Sequence, residues 1–198
     1  MSCENYIIKS ENTAIVKGVC SSIKKYIEKF DKTTTILDYG CGKLRNSLYL
    51  LNLGYDVAIL DTEEQINKIK CDNFKKIFTQ DAFSNNTIEK FDLILNSFVL
   101  NVISDIEIRN NIVKNIYNSL NENGFAIFEV RRESEVKSIK YKQEYNDGWI
   151  VGKNNVKTFQ KFYNKNELED ILIFNRFKII NSNSTGNSYY CLTQKENI

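Results

Sequence analysis

The chain has 198 residues, of which 42% are hydrophobic, and its formal net charge is +2. This length suits one domain with a sizeable core, and the apolar fraction excludes a disordered chain. The small net charge gives no argument for binding to DNA or to a membrane surface. We therefore predict that residues 1–198 form a single domain.

Histidine and proline are both absent, and the five cysteines include no C-x-x-C pair. The lack of histidine excludes Ser-His-Asp and Cys-His catalysis and any histidine metal site. An odd cysteine count without paired spacing predicts neither a disulfide framework nor a zinc site, and it favours a reducing cytoplasm. No segment approaches the roughly 20 apolar residues that span a membrane, so we predict no membrane association.

The first predicted element is an amphipathic helix from Thr13 to Phe30, which makes residues 1–30 an N-terminal helical cap. Its apolar residues recur at helical spacing, and the stripe alone indicates a helix that packs one face inward. Those residues are Ile15, Val16, Val19, Ile23, Tyr26, Ile27 and Phe30.

The clearest pattern is a strand, a glycine turn, a helix and a second strand with a terminal acid. These parts are Thr35–Leu37 ending at Asp38, Gly40-Cys41-Gly42, Leu44 to Gly54, and Tyr55–Leu60 ending at Asp61. The layout and the spacing of the two acids, close to roughly 20 residues, are those of a nucleotide-binding βαβ unit. Glycines allow backbone amides to approach a ligand, and a helix start offers unpaired N–H groups to an anion.

Two later strands end in polar residues. A third strand over Lys75–Thr79 leads to Asp81, and a buried fourth strand over Phe91–Leu95 is followed by Asn96. Taken alone, an acid or amide after a strand is equally well explained as a turn former or cap. A capping box at Ser104–Glu107 then begins a helix that ends at Asn123-Gly124.

A fifth strand over Phe125–Val130 ends at Arg131. Because ligands bind beyond the carboxyl ends of strands in open α/β sheets, Arg131 is a candidate for gripping an anionic substrate. The alternative is a solvated charge at the strand edge. A box-like cap at Asn164 begins the last helix, and strands over Phe177–Ile180 and Ser188–Leu192 form a closing hairpin.

The segment 133–163 is the least regular part of the chain and interleaves lysines with aromatic residues. Three interpretations stay open. It is a substrate lid, a nucleic-acid surface with stacking aromatics, or a small hairpin around Asn146-Asp147-Gly148 whose aromatics close the core. Its acidic residues dilute any basic patch.

The D-x-G-x-G of Asp38 to Gly42, with Asp61 at the next strand tip, resembles the class I S-adenosylmethionine (SAM)-dependent methyltransferases. Lys43 and Leu44 stand where a third glycine would complete the dinucleotide motif, which a pyrophosphate needs and SAM does not. The G-K-L-R variant is similar to that of a small group of bacterial methyltransferase-like proteins. The resemblance implies a three-layer α-β-α Rossmann-like fold with a mostly parallel seven-stranded sheet and a C-terminal antiparallel hairpin.

The resemblance also implies SAM as the cofactor and assigns the residues that bind it. Asp38, Gly40, Cys41 and Gly42 hold the methionine end, Asp61 with Thr62 the ribose, Asp81 with Ala82 the adenine, and Asn96 lies where cofactor meets substrate. In this family a helix like the N-terminal one often covers the cofactor pocket. Without proline, the chain lacks the N-P-P-Y loop of amino-methylating DNA enzymes of this class.

From these patterns we predict a methyltransferase that acts on the O, N or S atom of a small molecule, chiefly by positioning. The catalytic candidates are Asn96, Arg131 and Tyr141, with Glu129 and Tyr145 as further bases. Two alternatives remain. One is a nucleic-acid or protein methyltransferase that docks through residues 133–163, and the other is a non-catalytic SAM-binding subunit, which the altered glycine turn allows.

Overall fold

The computed structural model describes residues 13, 18–69, 73–80, 89–152 and 157–196. Its helices are α1 Ser21–Tyr26, α2 Arg45–Asn52, α3 Glu63–Ile66, α4 Ile106–Ser119 and α5 Lys165–Phe174. Its strands are β1 Ile36–Tyr39, β2 Val57–Asp61, β3 Ile77–Thr79, β4 Phe91–Ser97, β5 Leu120–Arg131, β6 Lys142–Tyr145, β7 Gly148–Val151, β8 Thr158–Gln160, β9 Phe177–Ser184 and β10 Ser188–Lys195. None of the helices within these described ranges is long and apolar enough to cross a membrane.

Seven strands form one sheet in the order β3-β2-β1-β4-β5-β10-β9. The pairs from β3 to β5 are parallel, whereas β10 runs antiparallel to both β5 and β9. This arrangement confirms the predicted fold: a mostly parallel seven-stranded sheet closed by a C-terminal antiparallel hairpin. The strand order reverses between β1 and β4, which is where open α/β sheets place their ligand crevice.

Helices cover both faces of this sheet, so that the molecule has three layers. Successive strand residues point to opposite faces, and accordingly Ile36 and Leu37 lie in two different hydrophobic clusters. One cluster includes Ile112 of α4 and Leu168 of α5, and the other includes Ile23 of α1 and Leu50 of α2. Burial from both sides explains why the central parallel strands are apolar without alternation.

The N-terminal helix is shorter than predicted. It begins at Ser21 rather than Thr13 and continues as a 3-10 turn over Ile27–Lys29. Gly18 has a φ of 80° and Cys20 is extended with a ψ of 139°, so the backbone at these two residues is not helical. The apolar residues Ile15 and Val16 of the predicted stripe lie outside the described residues.

Helix α4 also differs at both of its ends. Asp105, and not Ser104, is its N-cap, with its Oδ1 accepting from the amides of Glu107 at 2.8 Å and Ile108 at 3.1 Å. The helix stops at Ser119 because Leu120 is already extended, and β5 therefore begins before the predicted Asn123-Gly124 turn. The capping box at Asn164 and Glu167, by contrast, forms as predicted.

After β5 the chain forms a 3-10 helix over Glu133–Ser138 and then a small antiparallel sheet of three strands, in the order β6-β7-β8. We call residues 139–163 the insertion. Its first two strands form the predicted hairpin, with Tyr145 paired to Gly148 and with Asn146 at a φ of 49° in the turn. A Cβ at Gly148 would lie 2.5 Å from the Phe159 ring, so glycine at this position lets that fully buried ring pack on the backbone.

Two sets of contacts fix the insertion to the main sheet. The Lys161 amide donates to the Asn101 carbonyl at 2.7 Å, and the Tyr163 amide donates to the Arg131 carbonyl at 2.9 Å. A buried ion pair joins Arg109 of α4 to Asp147 in the hairpin turn. Burial raises the pKa of Asp147, but the hydrogen bond and charge of Arg109 outweigh it, so that the pKa is lowered.

Candidate functional site

A cleft of about 320 Å³ opens at the carboxyl ends of β1, β2, β4 and β5, beside the point where the strand order reverses. Thr13, Gln80 and Ile112 contribute to its lining, and the rest of its walls come from four places in the chain. They are the glycine turn with the start of α2 (Tyr39–Lys43, Arg45, Asn46), the tip of β2 with α3 (Leu60–Thr62, Gln65), the loop after β4 (Ser97–Val99, Val102, Ile103), and an end wall of Arg131, Glu135, Gln160 and Asn187.

The glycine turn is held mainly by its own backbone bonds. The amides of Gly40 and Cys41 both donate to the Leu60 carbonyl, at 2.8 Å and 3.1 Å. These bonds join the turn to β2. They occupy two amides that, from the sequence, we expect to face a ligand. Gly40 has a φ of 77°, and a Cβ there would lie 2.3 Å from Val99 Cγ2, so close packing against the loop after β4 requires the glycine.

Asp61 lies at the tip of β2, on the cleft wall, as the sequence predicts. Its Oδ2 accepts from the Gly42 amide and its Oδ1 from the Thr62 amide, both at 2.8 Å. Burial raises the pKa of Asp61, and these hydrogen bonds oppose that shift. A carboxylate oxygen can accept more than one hydrogen bond, and the two amides hold both oxygens of Asp61 in place at the cleft wall.

Asp38 is 1% exposed and is not among the described residues that line the cleft. Its Oδ2 accepts a hydrogen bond of 2.5 Å from Ser47 Oγ, which joins the end of β1 to α2. Burial raises its pKa to about 6. The structure thus gives Asp38 a role in fixing the turn, and its predicted contact with the methionine end of a cofactor stays a prediction.

The start of α2 explains the missing third glycine. Leu44 adopts the left-handed conformation with a φ of 64°, which a glycine would take without strain, and its side chain is buried in the core. The side chains on either side, Lys43 and Arg45, line the cleft. Arg45 also lies 5.4 Å from the centre of the Phe98 ring and donates to the Gly18 carbonyl at 3.2 Å.

Asn96 lies inside the sheet and not at a strand end. Strand β4 continues to Ser97, and Asn96 pairs with Tyr39 and Phe128 on the neighbouring strands. Its side chain is fully buried, and neither Oδ1 nor Nδ2 has a hydrogen-bond partner among the residues the structure describes. The cleft wall beside it consists of Ser97, Phe98 and Val99, so contact between Asn96 and a ligand stays a prediction.

The end wall lies beyond β5, where Arg131 was predicted to sit. Its guanidinium forms an ion pair of 3.1 Å with Glu135, and both side chains line the cleft. Gln160, from the last strand of the insertion, completes this wall. No local pattern indicates Gln160, because neither the strand β8 nor its position beside β5 can be read from the sequence around it.

The other catalytic candidates do not line this cleft. Tyr141 is 46% exposed and Tyr145 is 43% exposed, and the cleft walls include neither side chain. Glu129 is buried, with its carboxylate accepting from Ser22 and Ser188, which joins α1 and β10 to β5. Asp81 and Ala82, predicted at the adenine, lie outside the described residues.

The sheet order and the acid at the tip of β2 beside a glycine turn define a Rossmann-like nucleotide-binding protein of the class I methyltransferase type. Residues 13–180 match the family model described as a methyltransferase domain. The chain therefore belongs to this methyltransferase family, within the class I SAM-dependent superfamily, whose cofactor is SAM.

A curated relative is the probable SAM-dependent methyltransferase TehB of Haemophilus influenzae, 32% identical over 130 residues. That match covers 63% of this chain and 44% of the relative, so the chain spans less than half of the relative's length. A SAM-dependent methyltransferase from Methanosarcina mazei has a similar fold, with a TM-score of 0.70, 18% identity, and coverage of 90% of this chain and 99% of that one.

The fold is also similar to that of the 1,6-didemethyltoxoflavin-N1-methyltransferase of Burkholderia thailandensis, solved with 1,6-didemethyltoxoflavin and S-adenosylhomocysteine bound. The TM-score is 0.64 at 17% identity, and the match covers 89% of this chain and 76% of that one. Because these two structures are only 18% and 17% identical to this chain, the similarity supports the fold alone.

Proposed function

We propose that this protein is a SAM-dependent methyltransferase that acts on a small molecule. The observation that carries the proposal is that a single cleft joins the wall of Asp61 to the wall of Arg131 and Gln160. Strands β2, β1, β4 and β5 are successive neighbours, so the tips of β2 and β5 are three strand spacings, roughly 14 Å, apart. Such a cleft suits two ligands placed end to end.

The wall near β2 fits the cofactor. Asp61 would accept hydrogen bonds from the ribose hydroxyls, because its two oxygens are held in place by the Gly42 and Thr62 amides. Lys43 and Arg45 would hold the carboxylate of the methionine end. We retain the proposal that Asp81 and Ala82 contact the adenine.

Bound SAM supplies a methyl group already activated on a sulfonium, so the protein's task is to orient the acceptor and exclude water. The described acids on the cleft wall are engaged elsewhere. Asp61 accepts from two backbone amides, and Glu135 is paired with Arg131. We therefore propose that the acceptor reacts through its own lone pair and that its proton leaves to water.

The end wall favours a small acceptor over a macromolecule. The insertion lies beside the tip of β5, and its β8 contributes Gln160 to that wall. Apolar residues such as Val102, Ile103 and Ile112 line the cleft next to the polar ones, which is the composition of a small-molecule pocket.

The proposal is tested with the full chain in two steps. Calorimetric titration with SAM measures binding, and incubation with methyl-labelled SAM and a cell extract measures transfer. We expect label in the low-mass fraction after ultrafiltration. Label in nucleic acid or protein would support the macromolecular alternative, SAM binding without transfer would support the non-catalytic subunit, and no binding of SAM would contradict all three.

One observation favours the nucleic-acid alternative. On the insertion, the Lys140 ammonium lies 5.5 Å from the Tyr141 ring and Lys142 lies 5.7 Å from the Trp149 ring, so cations and aromatic faces adjoin. Such a surface would bind single-stranded oligonucleotides in a salt-dependent way. Binding that weakens on neutralising Lys140 and Lys142 would favour this function, and salt-insensitive binding would count against it.

We also propose that the protein works in the cytoplasm. The cysteines Cys20, Cys41 and Cys191 are all free and buried in the structure, and such a state suits a reducing compartment.

A further inference from the structure

Gln160 carries a buried acceptor that the fold leaves unused. The side chain is 8% exposed and lines the cleft on the end wall. No donor in the described part of the chain forms a hydrogen bond with its Oε1. A buried carbonyl oxygen without a partner destabilises a fold, so its presence in a residue of the cleft wall calls for a physical reason.

The backbone around Gln160 is fixed. Gln160 pairs with Trp149 in the β7–β8 ladder, and the next amide, that of Lys161, donates to the Asn101 carbonyl at 2.7 Å. A Cβ on Gly148 would lie only 2.8 Å from the backbone carbonyl oxygen of Gln160, so the hairpin packs tightly against this residue as well. These contacts hold the backbone of Gln160 in place at the end wall of the cleft.

The charges on the same wall are already matched. The Arg131 guanidinium is paired with Glu135, which leaves this pair with no net charge to attract an anion. This pairing argues against the anionic substrate that the position of Arg131 suggested. The unpartnered acceptor of this wall therefore suits a ligand that carries a hydrogen-bond donor and no negative charge.

We propose that Gln160 is a specificity-determining residue whose Oε1 accepts a hydrogen bond from an N–H or O–H group of the methyl acceptor. The acceptor is accordingly a neutral, largely apolar small molecule with at least one such donor, because Val102, Ile103 and Ile112 line the same cleft. This inference rests on the proposed function, since it names the class of molecule that shares the cleft with the cofactor.

Matched pairs of small compounds test the inference directly. Indole and benzofuran differ by an N–H against an oxygen, and 2-naphthol and 2-methoxynaphthalene differ by the O–H donor. Binding is measured by ligand-observed NMR, with and without S-adenosylhomocysteine. We expect the donor compounds to bind about tenfold more tightly than their partners, as one buried hydrogen bond provides. Gln160→Met removes the acceptor at similar size and should abolish the preference.

Gln143→Met is the matched control, because Gln143 lies on β6 of the same small sheet and is exposed. It should keep the preference for donors. Equal binding of both members of each pair to the unmodified protein would overturn the inference. So would a preference that survives in Gln160→Met, or a failure of every donor compound to bind.

Thermal unfolding separates recognition from a structural role. Because Gln160→Met removes an unpaired buried acceptor, Tm should stay the same or rise, whereas loss of a structural hydrogen bond would lower it. The affinity for SAM, measured by calorimetry, should not change in this variant. If the unmodified protein fails to bind SAM, the proposed function fails, while the compound comparison without cofactor still decides the role of Gln160.

Discussion

The βαβ unit from β1 to β2 and the insertion differ in what holds them together. In the first, backbone groups and one carboxylate do most of the work: two turn amides donate to Leu60, and Asp61 accepts from Gly42 and Thr62. In the second, backbone bonds of Lys161 and Tyr163 and two ion pairs join a three-stranded sheet to the rest of the molecule. The ion pairs are Arg109 with Asp147 and Lys161 with Glu167, the latter at 2.8 Å.

This difference separates a cleft wall held by local bonds from an end wall held by contacts between distant parts of the chain. The bonds of the βαβ unit need particular residue types at close spacing, which leaves little room for variation. The contacts of the insertion join residues distant in sequence, so its strands and end wall can vary while the sheet stays the same. Variants that act on one region and spare the other test this comparison.

The largest expected effect is on the insertion. Arg109→Met removes a guanidinium that is 3% exposed, so the Ile103 carbonyl loses this donor and Asp147 keeps the more distant Lys161 ammonium, 3.6 Å away. We expect a loss of about 3 kcal/mol in unfolding free energy, the low end for a buried pair, because Asp147 is 30% exposed. Denaturant unfolding measures the loss, and hydrogen exchange locates it.

Amide protection should fall in β6 and β7 and persist in β1 and β4. Lys165→Met is the control, because Lys165 is 54% exposed in its pair with Glu169 and should cost less than about 1 kcal/mol. Equal loss of protection in β1 would mean that the two regions unfold as one unit, which contradicts the comparison.

The second prediction acts on the glycine turn. Gly40→Ala places a Cβ 2.3 Å from Val99 Cγ2 at a φ of 77°, so overpacking and backbone strain add. We expect a loss of about 2–3 kcal/mol in unfolding free energy. Gly54→Ala is matched to it, because Gly54 has a φ of 83° but no neighbour within 4 Å of a Cβ.

The Gly54 variant should lose only about 1 kcal/mol, the cost of the left-handed backbone alone. Adding Val99→Ala to Gly40→Ala should raise the unfolding free energy again, by the difference between the losses in the Gly40 and Gly54 variants. If Gly40→Ala and Gly54→Ala are equally destabilised, the close packing of the turn against the loop after β4 has no energetic weight.

The same contrast explains how much of the structure could be predicted from the sequence. The main-sheet strands along the chain, the turn and the position of Asp61 followed from local patterns, since strand tips and glycine turns have few alternatives. The arrangement of these strands in a mostly parallel sheet came from the family resemblance. Helix ends were less predictable, because Asp105 and Ser104 are both good caps and only the packed backbone selects one.

The end wall of the site was not predictable in the same way. Gln160 reaches the cleft only because Lys161 and Tyr163 pair with residues of the main sheet, and no local pattern encodes such pairing. The prediction places Asn96 after the end of β4, whereas the strand continues through Ser97. The sequence does not show this continuation. Arg131 was found, but its partner Glu135 was not.

The third prediction concerns cofactor affinity. Asp61→Ala removes the two oxygens proposed to accept from the ribose and leaves the Gly42 and Thr62 amides unpaired. We expect SAM to bind about 30-fold more weakly, or about 2 kcal/mol, the scale of a hydrogen bond to a charged acceptor. Asp56→Ala, an exposed acid paired with Lys75 at 3.4 Å, should leave the affinity unchanged. Unchanged affinity in the Asp61 variant would remove Asp61 from the cofactor site.

The smallest expected effect is a pH dependence of stability that arises from Asp38. Burial raises its pKa from 3.8 to about 6. Between these two pKa values the folded state holds a proton that the unfolded chain has released. The stability gained from this proton is fully present below about pH 4 and is lost as the pH rises through about 6.

Asp38→Asn cannot titrate and still accepts from Ser47 Oγ, which makes it the reference for this effect. Relative to this variant, the unmodified protein should lose about 1 kcal/mol of unfolding free energy between about pH 5 and about pH 7. Denaturant unfolding at several pH values measures the difference. Parallel pH profiles would contradict the raised pKa, because they would show that Asp38 ionises in the folded state as in the unfolded chain.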